Sequence, residues 1–164
     1  MSSLEDATRV ILMGMGATIV MDLWLIAMKT LGIGTLSFSL VGRWVGYLRQ
    51  GRFSHTNIGK AVPIPREAEL GWITHYTVGV VFAILLVCIQ GVAWLREPSL
   101  GPAITVGAAT VAVPLFVVQP AMGAGFAFSK TPTPAKNCLR SLVTHTVFGL
   151  GLYLSAVLID WMWR

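Results

Sequence analysis

Four long apolar stretches, separated by polar connections, constrain this chain more than any other feature. A helix needs about 20 mostly apolar residues to cross bilayer hydrocarbon, and spans are expected at about 8–31, 70–95, 100–124 and 139–162. They take up most of the 164 residues, so an all-α membrane protein is expected, with a single four-span domain over 1–164 and a connection at 32–69. Composition agrees, because 55% apolar against 12% charged residues supply too little polar surface for a soluble domain of this size. The start Ser2-Ser3-Leu4-Glu5-Asp6 is acidic and lacks a basic n-region, which fits a retained helix rather than a signal peptide.

Twelve Lys and Arg against seven Asp and Glu give a charge of +5, and the placement of these residues decides what the excess means. Lys29, Arg43, Arg49, Arg52, Lys60 and Arg66 flank the first connection, and Lys130, Lys136 and Arg140 the third; Arg9, Arg96 and Arg164 lie at the opposite ends. The positive-inside rule then sets both connections in the cytoplasm and both termini in the periplasm. Anionic headgroups of the lipid bilayer account for the basic balance, and no nucleic-acid partner is implied.

The first connection carries Leu40, Val41, Trp44, Val45 and Leu48 at helical spacing with Arg43 and Arg49 on or near the flanks, an amphipathic helix suited to the interface. Pro63-Ile64-Pro65 forces an extended approach to the second span. Most of the tryptophans stand near span ends, where an indole suits the headgroup level, with Trp24 the expected exception.

An internal repeat is legible. Thr74-His75-Tyr76-Thr77-Val78-Gly79 and Thr144-His145-Thr146-Val147-Phe148-Gly149 share a T-H-x-x-x-G pattern, and Gly16–Asp22 aligns with Ala108–Pro114. Two parallel-repeat hairpins are inferred, related by duplication, with Asp22 facing a proline in the other copy.

Asp22, His75 and His145 are the ionisable residues placed well inside spans. Charge is costly in hydrocarbon, so such residues normally face a bundle interior, water or one another. Each lies on a stripe of small residues at i+4 steps: Gly14, Thr18, Asp22; Gly71, His75, Gly79, Ala83; and Ser141, His145, Gly149. Helix rise puts them about 8 to 13 Å from the cytoplasmic ends. Gln119 can join them, because Pro114 and Pro120 break the third span and free nearby carbonyls. Two imidazoles and one acid could bind a small ligand or ion, pass protons, hold a transition metal with Asp22 as third ligand, or ligate haem iron axially. The plainer alternative is that each imidazole hydrogen-bonds a neighbouring helix and nothing is bound.

Other residues carry less. His55, among Arg52, Phe53, Ser54 and Thr56, reads as a solvated loop histidine, and Met13, Met15, Met21 and Met28 share no stripe and read as packing. Cys88 and Cys138 are expected too far apart for a disulfide and have no zinc-finger spacing. No nucleophile motif, P-loop, dinucleotide fingerprint or zincin helix is present, so no catalytic residue is assigned and a familiar hydrolytic or nucleotide-using enzyme is not expected.

Taken in order, Gly14-x-Gly16-Ala17-Thr18-x-x-Met21-Asp22, Val41-Gly42-Arg43-Trp44-x-Gly46, Gly51-x-Phe53-x-His55, Gly71-Trp72-x-x-His75-Tyr76, Gln119-Pro120-x-x-Gly123-x-Gly125 and Thr144-His145-x-x-Phe148-Gly149-x-Gly151 span nearly the whole chain. Together they resemble a bacterial integral membrane family of unknown function, domain of unknown function 2938. The resemblance implies a small inner-membrane protein whose matching positions are Asp22, Arg43, His55, His75, Gln119 and His145, and it supplies no activity.

The leading expectation is a small binding or transport protein with a ligand site of Asp22, His75, His145, Gln119, Thr18 and Arg43, gated by the first connection. Four helices rarely enclose a wide aqueous path, so transport favours a homodimer. The alternatives are an accessory or scaffold subunit docked on a membrane-complex partner, and, more weakly, a bis-His haem-binding redox subunit.

Overall fold

The computed structural model describes residues 3–163, and among them there is no β-strand. Helix α1 runs Ser3–Thr30, with Glu5 and Asp6 in its first turn and Lys29 in its last, charges that complement the helix dipole. Helix α2, Phe38–Leu48, occupies the first connection where the apolar spacing placed one. Helix α3, Glu67–Gln90, starts just beyond Pro63-Ile64-Pro65 and stops short of the expected 95, because Gly91 turns left-handed at φ 81° and Val92–Leu95 tightens into a 3-10 turn.

Helix α4, Leu100–Ala109, is followed by a π-helical turn at Pro114–Val118, where proline cannot donate its share of the hydrogen-bond ladder. Helix α5, Gln119–Met122, then ends on Gly123 at φ 99°. Helix α6, Pro134–Met162, begins before the expected 139, at a proline in the position where a missing N–H costs nothing.

Ser3–Thr30, Glu67–Gln90, Leu100–Met122 and Pro134–Met162 are long and apolar enough to cross a membrane. Between 22% and 33% of the residues in their most apolar windows are buried, so most of each apolar face needs an apolar surrounding.

Contacts divide the chain into two compact units. The first comprises residues up to Ile33, Tyr76–Thr110, and those from Val143 onward. Its core includes Met13, Ala17, Ala83, Leu86 and Leu152. Helices pack backbone to backbone at two places in it: a Cβ on Gly14 would stand 2.6 Å from the Val80 Cα, and one on Gly107 would penetrate the backbone of Gly149. Small residues permit such close approach.

The second unit comprises Gly34–His75 and Val111–Leu142, with a smaller core of Tyr47, Ile58 and Met122. Here α2 seats its Gly42 against the first turn of α3, and Gly71 of α3 against the Phe38 carbonyl. Arg43, expected on or near a flank, is buried instead. Its Nε and Nη2 donate to the two Glu67 oxygens at 2.8 and 2.7 Å, and Nη1 donates to the Ala61 carbonyl at 2.9 Å. The guanidinium thereby ties α2, the turn after Ile58 and the start of α3 together, and Glu67 also accepts the Ile64 N–H at 3.1 Å.

Candidate functional site

Polar side chains enter the first unit from each of its helices. Thr18 is fully buried, and its hydroxyl turns back to the Gly14 carbonyl at 2.8 Å, on the stripe that packs against Gly79. One turn further along α1, Asp22 Oδ2 accepts a hydrogen bond from the Tyr76 phenol at 3.0 Å. Trp24 Nε1 donates to Thr144 Oγ1 at 3.3 Å, so this indole is anchored inside the unit, as its distance from the span ends implied.

His145 is buried beside the ring of Phe82, and its Nδ1 lies 2.8 Å from Thr110 Oγ1. The same hydroxyl lies 2.6 Å from the Gly107 carbonyl, which can only accept. The Thr110 proton therefore goes to Gly107, and the Thr110 oxygen receives Nδ1–H from the imidazole. Neutral His145 is thus held as the Nδ1–H tautomer, with Nε2 as its acceptor face. The Trp24 to Thr144 bond sets the level of these groups. With about 1.5 Å of rise per residue, Asp22 and His145 both lie within roughly one helical turn of it.

His75 belongs to the second unit, where its ring stacks on Phe38 with centroids 4.1 Å apart and meets the edge of Trp72. Gln119 is buried at the head of α5, and its carbonyl accepts the Ala124 N–H at 2.9 Å. Of the residues singled out from sequence, Asp22, Thr18 and His145 therefore fall in the first unit and His75, Gln119 and Arg43 in the second.

His55 is not the solvated loop residue that its neighbours suggested. It is 9% exposed, its N–H donates to the Ala121 carbonyl at 2.8 Å, and its ring lies against Tyr47. Neither ring nitrogen has a hydrogen-bond partner among the described residues. Burial, then the nearby charge of Arg52, pushes its pKa below the ordinary histidine value. Gly123 makes this packing possible, because any side chain there would strike the Thr56 carbonyl.

Sequence reasoning passed over two groups. Tyr76 and Thr110 stand inside spans next to marked positions, but a phenol and a hydroxyl carry no charge to draw attention. At the other end of the first unit, Arg9 is 3% exposed, donates to Glu5 at 3.0 Å, lies 3.6 Å from Asp160 and sits over the Trp163 ring. Arg96 donates to Asp6 at 2.6 Å. A lone acid late in an apolar run was the available signal for Asp160, as it was for Asp22.

Among the described residues there is no group of three or more His, Cys, Asp or Glu side chains that could hold a metal ion, so the metal reading gains no support from geometry. Cys88 and Cys138 are free thiols.

The sequence profile of the family described as "Protein of unknown function (DUF2938)" matches residues 11–159. The chain belongs to this family. The DUF2938 match takes in Asp22, Arg43, His55, His75, Gln119 and His145, whereas Arg9 and Asp160 fall just outside it. No curated protein and no solved structure matches.

Proposed function

We propose that this DUF2938 chain is a bacterial inner-membrane protein that binds or passes a small polar ligand, ion or proton inside its first unit, with Asp22, Tyr76, Thr110 and His145 as the working groups. The observation that carries this reading is the pairing of a carboxylate with a phenol and of an imidazole with a hydroxyl. Each pair joins two helices whose outward faces are apolar. Ionisable groups at membrane depth are costly and are kept where they line a route or a site. An imidazole anchored through Nδ1–H can take and return a proton at Nε2 without moving. Thr18 serves by packing, and Arg43 by clamping the first connection to α3. Gly79 and Gly149, equivalent in the T-H-x-x-x-G repeat, each approach a glycine of the preceding span, Gly14 and Gly107, which supports an origin by hairpin duplication. The excess of basic residues beside the first and third connections supports cytoplasmic connections and periplasmic termini.

The test is proton movement in vesicles that contain the protein and a pH-sensitive dye. Under an imposed gradient, with amino acids, organic acids or monovalent cations added outside, wild-type vesicles should change internal pH faster than protein-free ones. Asp22→Asn and His145→Ala should each return to the protein-free rate. Wild-type vesicles that match the protein-free rate with every solute would overturn the proposal.

A second reading, an accessory subunit, is favoured by one observation: Leu36, Phe53 and Val62 are exposed in the first connection, outside the span helices. A silent vesicle assay together with copurification of one fixed membrane partner would select it.

A further inference from the structure

The end of the first unit that carries both described chain ends holds an open-sided cleft of about 370 Å³, lined by Arg96, Glu97, Pro98, Val157, Asp160 and Trp161. That volume lies within the range of small-molecule sites. Its walls bring both signs of charge together with an apolar ramp. Arg96 donates Nη2 to Asp6, but its Nε is buried with no hydrogen-bond partner among the described residues. Arg9 Nη1, 3.6 Å from Asp160 Oδ1 in an ion pair, likewise has no hydrogen-bond partner among the described residues. The Arg96 side chain nevertheless keeps 29% exposure and lines the cleft, so its guanidinium can take a further acceptor from that side. The Glu97 carboxylate is exposed and makes no ion pair or hydrogen bond among the described residues. Beyond the cleft, Leu154, Val157, Leu158 and Trp161 form an exposed apolar run along α6, and the Trp161 indole, 74% exposed, stands at its end.

We propose that this cleft binds the headgroup of a zwitterionic phospholipid bearing a primary ammonium, its phosphate on Arg96, its ammonium on Glu97 and an acyl chain along Leu154, Val157 and Leu158. Charge balance selects the zwitterion. Among the described residues, Glu5, Asp6, Glu97 and Asp160 outnumber Arg9 and Arg96 by four to two around the site, which disfavours an anionic headgroup. A primary ammonium donates hydrogen bonds to a carboxylate, which a quaternary one cannot. The exposed indole at the end of a span helix suits the headgroup level. This site is separate from the one built on Asp22 and His145, and either can fail without the other.

The test is native mass spectrometry of the full chain released from nanodiscs of equal parts phosphatidylethanolamine and phosphatidylglycerol. Wild type should retain the ethanolamine lipid over the glycerol lipid by about five-fold, the worth of one partly exposed ion pair. Glu97→Gln, an exposed and unpaired position, should fold normally and lose that preference. Val157→Trp, which fills the cleft without altering a charge, should retain neither lipid. Soluble phosphoethanolamine carries the same poles without a chain and should not compete. Equal retention of the two lipids by wild type, or an undiminished preference in Glu97→Gln, would overturn the proposal. Displacement by soluble phosphoethanolamine would overturn the lipid as occupant in favour of a free small molecule.

Discussion

A β-carbon at Gly79 would collide with the Thr18 hydroxyl, so a single methyl group tests whether α1 and α3 meet where the structure puts them. Gly79→Ala should lower stability in detergent by about 1–3 kcal/mol through overpacking. Thr18→Ala removes that hydroxyl, leaving the Gly14 carbonyl at 3.3 Å and the residue-18 Cβ at 3.4 Å from the new methyl, and in the double variant should recover most of the loss. Equilibrium unfolding of both variants reads this directly. His55 supports a prediction of opposite character, because its neutral form is the one the fold accepts. Burial, reinforced by Arg52, lowers its folded pKa, so the unfolded chain binds the proton more readily. Stability is therefore full above the ordinary histidine value and falls as pH drops through it, by at most about 1.4 kcal/mol per pH unit, until the folded pKa is reached. The thermal midpoint of wild type should fall between pH 7 and pH 5, and His55→Asn should flatten that slope. A slope unchanged by the substitution would show that His55 is not its source.

At the scale of elements, α2 is a clamp built on Arg43. Arg43→Met leaves Glu67 unpaired and should cost about 3 kcal/mol, the low end for a broken buried pair because Glu67 keeps some exposure. Adding Glu67→Gln removes the stranded charge, still accepts the Ile64 N–H, and should recover part of that loss. Hydrogen exchange over Phe38–Leu48 should quicken in the single variant and slow again in the double. The helix itself was legible in sequence, since Leu40, Val41 and Trp44 recur at helical spacing. The buried place of Arg43 was not, because its partners Glu67 and Ala61 are far along the chain and an arginine on an apolar helix looks the same whether it meets water or a carboxylate. The spans were legible for a simple reason: length and apolarity alone define them. Their ends depended on local backbone, on Gly91 turning left-handed and on Pro134 opening a helix earlier than hydropathy would. The candidate site was half legible. Asp22 and His145 stood out as charges in apolar runs, whereas Tyr76 and Thr110, which give each of them a partner, are neutral and pass as ordinary span residues.

For the whole molecule, the direction in which the chain crosses the bilayer decides which aqueous phase each end of its helices faces. The proposed orientation rests on the basic residues beside the first connection, which favour a cytoplasmic place for that end. In the proposed orientation the Arg9, Arg96 and Asp160 cluster faces the periplasm, and the proposed lipid comes from the outer leaflet of that membrane. The two free thiols are replaced first, Cys88 and Cys138 by Ala, and single cysteines are then placed at Ser54 and Gly101, both exposed; a side chain at Gly101 meets no atom within 4 Å. An impermeant maleimide added to cells whose outer membrane has been opened should label Gly101→Cys and spare Ser54→Cys, and both should react after lysis. Labelling of Ser54→Cys in intact spheroplasts would invert the orientation. It would move the proposed lipid to the inner leaflet and turn the first connection toward the periplasm.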